Sequence, residues 1–137
     1  EKFTEKIGDR GTESELLSNH KALYFEKDKN LLAFPVTVME VQNQKEPSNS
    51  YSPPYGTFAF QGAYIYSLDL VNGFKLQKKA THLNAEDYLK AGDYWCQSDK
   101  NVERILSINN TLYTLSKDRI KAHNLSNFED VAELPLN

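Results

Sequence analysis

The sequence predicts an all-β fold of two four-stranded antiparallel units, with one or two short helices. Three observations carry this. Eight short runs rich in apolar, aromatic and β-branched residues follow one another, most of them separated by compact turn signals. The aromatic load is generous, with eight Tyr, seven Phe and one Trp, and such side chains suit a half-buried pleated surface. The third observation is internal repetition. Tyr66-Ser67-Leu68-Asp69-Leu70-Val71-Asn72-Gly73-Phe74 resembles Lys121-Ala122-His123-Asn124-Leu125-Ser126-Asn127-Phe128. Each runs from a strand through Asp or Asn, Leu and a turn to Phe and a last strand.

The elements follow in chain order. Residues 1–8 alternate loosely, and Gly8-Asp9-Arg10-Gly11 is a turn cluster. Thr12-Glu13-Ser14-Glu15 fits a capping box, so a short helical turn is expected at about 12–18. A strand is expected over His20–Glu26, a polar turn at Lys27–Asn30 and a return strand over Leu31–Val41. Pro35 cannot donate to a ladder, so it should meet a strand edge, a bulge or a strand end. Residues 42–56, rich in Gln, Asn, Ser and Pro, read as a long surface loop. The longest strand signal is Thr57–Leu70, where Gly62 suggests a bulge or a close backbone approach. Asn72-Gly73 is a tight turn into a strand over Phe74–Leu83. Asn84–Gly92 has a cap, acids in the first turn, Lys90 in the last and a terminal Gly, the pattern of a helix. Four short strands close the chain, Val102–Ile108, Thr111–Ser116, Arg119–Asn124 and Val131–Leu136.

Four-stranded antiparallel units in series are what propeller blades look like; an eight-stranded sandwich of similar length is the alternative. The expected organisation is a first blade over 1–83 with its long loop, a helical insertion over 84–101 and a second blade over 102–137.

Composition narrows the function. Sixteen Lys and Arg against nineteen Asp and Glu give a net charge of -3 without a basic block, so nucleic-acid binding is not expected. No apolar run reaches the length of a membrane span, and no signal peptide is visible. The first residue is Glu1, and Glu1–Ile7 reads like the middle of a strand, so the chain is expected to be a piece of something longer. The one cysteine, Cys96, lacks a partner for a disulfide or a CxxC zinc site. It is read as a half-buried structural thiol.

Gly8-Asp9-Arg10-Gly11-Thr12-Glu13-Ser14, His20-Lys21-Ala22-Leu23, Leu31-Leu32-Ala33-Phe34-Pro35-Val36 and Gln61-Gly62-Ala63-Tyr64-Ile65-Tyr66 belong together. With Val102–Ile108, Thr111–Ser116 and Val131–Leu136, they resemble the C-terminal part of the secreted bacterial and archaeal β-propeller domain proteins. The resemblance covers nearly the whole chain. It implies a longer parent of which these are the last blades, and a secreted or cell-surface location. It implies no reaction. Asn19 stands before His20 where that family leads one to expect Asp, which puts any ion-binding role of an acid there in doubt.

Asp9, Arg10, Glu13 and His20 are the densest functional-looking cluster. A carboxylate-rich turn could hold Ca²⁺, but the spacing is not that of an EF-hand. The preferred reading is an Arg–carboxylate pair and a capped turn locking the loop to the strand, with no cofactor. His82 and His123 are expected to be packed or hydrogen-bonded rather than to bind metal. No HExxH, GxSxG or P-loop pattern occurs. Tyr51 and Tyr55 in the long loop, with Tyr94 and Trp95 in the insertion, are the candidate ligand contacts, because aromatic anchors enrich recognition surfaces. The functional expectation is a non-catalytic extracellular binding or scaffold module for a protein, peptide or glycan. The alternative is part of an extracellular hydrolase whose site needs upstream blades. Two blades leave exposed sheet faces and edges, so self-association is expected.

Overall fold

The computed structural model describes residues 2–42, 51–95 and 97–136. Strands β1 (Tyr24–Glu26), β2 (Leu31–Glu40), β3 (Thr57–Asp69) and β4 (Gly73–Ala80) form one sheet. Strands β5 (Arg104–Ile108), β6 (Thr111–Leu115), β7 (Arg119–Asn124) and β8 (Asp130–Pro135) form the other. In both sheets the spatial order is the chain order and neighbours are antiparallel. Each sheet is therefore a simple meander, as the turn-separated runs predict. The helix α1 (Ala85–Ala91) lies in the connection between the sheets, as expected. Asn84 and Asp87 cap it reciprocally, each side chain accepting from the other's backbone N–H at 2.9 Å.

The two sheets stack face to face through an apolar layer. Tyr24, Leu31, Ala33, Ala63, Ile65 and Ala80 of the first meet Val102, Ile105, Leu112 and Leu125 of the second. Strand alternation sends the other side chains of the first sheet outward. Val36, Val38, Tyr64 and Tyr66 there form a second cluster with Ile7, Phe34, Phe60 and Phe74 packed against it.

Strand β1 has three residues and β2 has ten, so most of the outer edge of β2 lies beyond β1. Residues 9–13 take that edge. Glu13 and Thr37 exchange both backbone hydrogen bonds, at 2.9 and 2.8 Å, and the Asp9 N–H donates to the Met39 carbonyl at 2.7 Å. Pro35 stands in this stretch, past the end of β1, and its carbonyl accepts from the Ser14 hydroxyl. Its missing N–H therefore interrupts no ladder.

Several expectations need local correction. His20–Ala22 is a 3₁₀ turn rather than the start of a strand, because the Asn19 side chain accepts from the Lys21 N–H and caps it. The first helical turn is a 3₁₀ turn at Glu15–Leu17, capped by Ser14 and not by Thr12. The Thr12 hydroxyl instead bonds the backbone of Met39, at 3.0 and 3.2 Å. Gly62 marks a close approach and no bulge: a Cβ there would lie 2.2 Å from the Ala80 carbonyl oxygen. The register shifts of the first sheet fall elsewhere, at Val38/Met39 and at Ile65/Tyr66. Gly73 does serve its turn, with φ of 78°.

Candidate functional site

A groove of about 850 Å³ opens where the two sheets meet. Three parts of the chain wall it. The edge segment and β2 bring Glu13 and Thr37, the insertion brings Trp95 and Asp99, and the second sheet with its turns brings Glu103 and Lys117. The lining is mostly polar: Ser14, Ser18, Gln61, Gln97, Ser98 and Asn101 also face it. Glu103 and Lys117 are 3.7 Å apart, a largely exposed pair contributing little to stability.

Trp95 is held from two sides. Its ring stacks on Phe58 at 5.2 Å, and Phe58 stacks on Tyr88 at 5.6 Å. Its indole N–H donates to Asn101 Oδ1 at 2.6 Å. Met39, Phe58 and Leu83 form the buried base of this cluster. Packing and exposure to the groove thus coexist in Trp95. Of the other aromatic candidates, Tyr94 and Tyr51 are exposed outside the groove lining, and Tyr55 lies exposed under the Arg10 guanidinium, 4.2 Å from it.

The Asp9–His20 cluster is dispersed by the fold. The Asp9 carboxylate accepts from the Val41 N–H at 2.9 Å, and this bond holds its carboxyl below the usual carboxylate range, assisted by Lys6. Arg10 donates to the Pro53 carbonyl at 3.0 Å and covers Tyr55, so the expected Arg–carboxylate pair is replaced by a cation–π contact. Glu13 faces the groove and His20 is exposed on its turn. Asp9 and Thr12 hold the turn against the end of β2 through their bonds to Val41 and Met39. Among the described residues, no group of three or more His, Cys, Asp or Glu is placed to hold a metal. The reading of Cys96 falls outside the described residues.

Near the groove lies a polar chain, buried except at its exposed Asp130 end, whose connections the sequence does not announce. His82 follows β4, and both its ring nitrogens meet hydroxyls of the second sheet: Nδ1 meets Ser116 Oγ at 2.8 Å and Nε2 meets Thr114 Oγ1 at 2.9 Å. Thr114 Oγ1 also meets His123 Nε2 at 2.9 Å, and His123 Nδ1 meets Asp130 Oδ1 at 2.7 Å. Lys78 of β4 pairs with Asp130 from the opposite blade. His82, Thr114 and His123 are 2%, 0% and 1% exposed. Burial pulls the His82 imidazole down to about 4, aided by the nearby cations Lys121 and Arg119. Burial also lowers His123, against the opposing pull of Asp130. Burial would raise the Asp130 carboxyl, but hydrogen bonds from Lys78 and His123 outweigh it and hold the group below its ordinary value.

Asp130, His123 and Thr114 stand in the order of an acyl-transfer triad, carboxylate to imidazole to hydroxyl. Thr114 is fully buried between the sheets, and its oxygen already meets His82. No substrate carbonyl can reach it, so the arrangement joins the sheets and is not a nucleophile. The available sequence signal is alternation: Leu112, Thr114 and Ser116 share one buried face, so two hydroxyls stand in phase with a core leucine.

Two four-stranded meanders, stacked face to face and each in chain order, are the arrangement of successive propeller blades. The Beta propeller domain family matches residues 1–128. The chain belongs to that family. No curated protein and no solved structure matches it. Within this β-propeller domain, the groove and the buried polar chain both lie at the seam between consecutive blades, and the two sheets do not close into a ring. Propeller domains act generally as binding or scaffold modules. No helix among the described residues is long and apolar enough to cross a membrane.

Proposed function

We propose that this chain is a non-catalytic, extracytoplasmic binding module whose ligand is a glycan or a peptide segment seated in the inter-blade groove against Trp95. The observation that carries this reading is the groove itself. It joins one fixed aromatic ring to a rim of amide, hydroxyl and carboxylate groups. An aromatic plane beside many hydrogen-bonding groups suits a polar, extended ligand such as a sugar or a peptide backbone. Tyr55, pinned by Arg10, and Tyr51 are the accessory contacts, reached by a ligand that extends past the groove.

Trp95 is the chain's one tryptophan, so its fluorescence reports the groove alone. Titration with oligosaccharide and peptide panels is expected to give a saturable change for one class. Alanine at Trp95 should weaken binding, measured by calorimetry, about tenfold or more, as truncation of an aromatic anchor does. Unchanged binding in the Trp95→Ala, Tyr51→Ala and Tyr55→Ala variants would overturn the assignment.

A further inference from the structure

We propose that Ser116, His82, Thr114, His123 and Asp130 form a proton-counting latch between the two blades, complete with no added proton or with one, and broken by the second. The inference is independent of what the groove binds.

Donors and acceptors in the chain can be counted. Asp130 is a carboxylate and only accepts, so His123 Nδ1 carries the hydrogen between them. A neutral His123 then has a lone pair on Nε2, which takes the Thr114 hydroxyl hydrogen. Thr114 has no second hydrogen, so His82 Nε2 must donate to Thr114 Oγ1. A neutral His82 is left with a lone pair on Nδ1, which takes the Ser116 hydroxyl hydrogen, while Ser116 Oγ accepts from the Arg119 N–H at 3.1 Å. Each group has one partner for each hydrogen, and both rings are neutral. His82 belongs to the first blade and the other four to the second, so the chain crosses the seam at both nitrogens of one ring.

One proton can be accommodated. On His82 it goes to Nδ1 and donates to Ser116, whose own hydrogen turns to the Arg119 carbonyl at 3.2 Å. On His123 it goes to Nε2, and every bond from Thr114 to Ser116 reverses direction. Two protons cannot be accommodated. Both Nε2 atoms would then point hydrogens at Thr114 Oγ1, and the Thr114 hydrogen would have no acceptor in a buried site. The surroundings also resist a second charge. Lys121 and Arg119 on β7 and Lys78 on β4 face the rings, against Asp118 beside His82 and Asp130 beside His123.

The sign of the pH dependence follows. The folded chain keeps both rings neutral below the ordinary histidine value of 6.5, whereas the unfolded chain takes up protons there. The stabilisation is complete above about pH 6.5 and is lost as the pH falls toward about 4, where folded His82 titrates.

The test uses the whole chain with ¹⁵N-labelled histidine. At pH 7 the ring spectra should show two neutral imidazoles, His82 with hydrogen on Nε2 and His123 with hydrogen on Nδ1. Urea unfolding should show the folded-to-unfolded ratio falling more than about tenfold from pH 7 to pH 5. That fall should largely vanish in the His82→Asn, His123→Asn double variant. The Val102 N–H, which donates across the seam to Gln61 Oε1 at 3.1 Å, reports opening by hydrogen exchange. Its protection should collapse with the second proton while amides inside β6 and β7 stay protected. Neutral rings in the opposite tautomers at pH 7, or an equal pH dependence in the double variant, would overturn the latch. Should that variant not fold, the wild-type titration decides: Val102 protection that survives two charged rings refutes it.

Discussion

Single residues set what the packing tolerates. The clearest case is Gly62, where β3 passes under the Ala80 carbonyl at a distance no side chain could enter. The Gly62→Ala variant is expected to lose about 1–3 kcal/mol or more, because backbone cannot yield as a flexible side chain can. A urea midpoint equal to wild type would show that the strands separate there without cost. Thr114 makes a second, chemically different case. The Thr114→Val variant keeps the shape and removes the hydroxyl that bridges two buried Nε2 atoms. It should cost about 1–3 kcal/mol, the usual penalty for orphaning buried polar groups. Thr114→Ser returns the hydroxyl and loses one methyl, so it should recover most of that stability. If the two variants unfold alike, the methyl matters and the hydroxyl does not.

Elements were legible in the sequence where their causes are local. The helix α1 is announced by its own Asn84 cap, its acids and its Gly92 stop, all within nine residues. Asn84→Ala should therefore lower stability by about 1 kcal/mol. Lys90→Ala, which breaks only the exposed pair with Glu86, should change it by less than about 0.5 kcal/mol. Equal effects in thermal melts would contradict the capping account. The misread stretch His20–Ala22 shows the opposite situation. Its residues suit a strand, but the preceding Asn19 carbonyl captures a backbone N–H and tightens the chain into a turn. Thr12 was legible as a hydroxyl with a local task, and its task proved distant, because Met39 arrives from another strand. The groove was legible only through Trp95 and Glu13, since its other walls come from segments far apart in the chain. The histidine chain was legible only as two packed or hydrogen-bonded rings, because its connecting hydroxyls become visible only when two sheets stack.

At the scale of the molecule, stacking explains why one sheet face is finished and another is open. The first sheet presents Leu31, Ala33 and Ile65 to the second and buries them. The corresponding face of the second sheet presents Leu106, Ile108 and Leu134, which are 40%, 59% and 59% exposed. With Tyr113, Leu115 and Ile120 they line an apolar depression of about 420 Å³. Because the same side of the first sheet takes a blade, the surface suited to this one is another blade of the same kind. In a solution of this chain alone, a second copy is expected to supply it. Concentration-dependent dimers are therefore expected by light scattering or sedimentation. The paired substitutions Ile108→Lys and Leu134→Lys should abolish them by placing two buried charges at the contact. Both positions are solvent-exposed in the single chain, so the doubly substituted protein should keep its fold and its wild-type circular dichroism. Wild-type protein that stays monomeric at high concentration would mean that the open face is tolerated by itself, and that stacking of the two blades already supplies all the burial the chain needs.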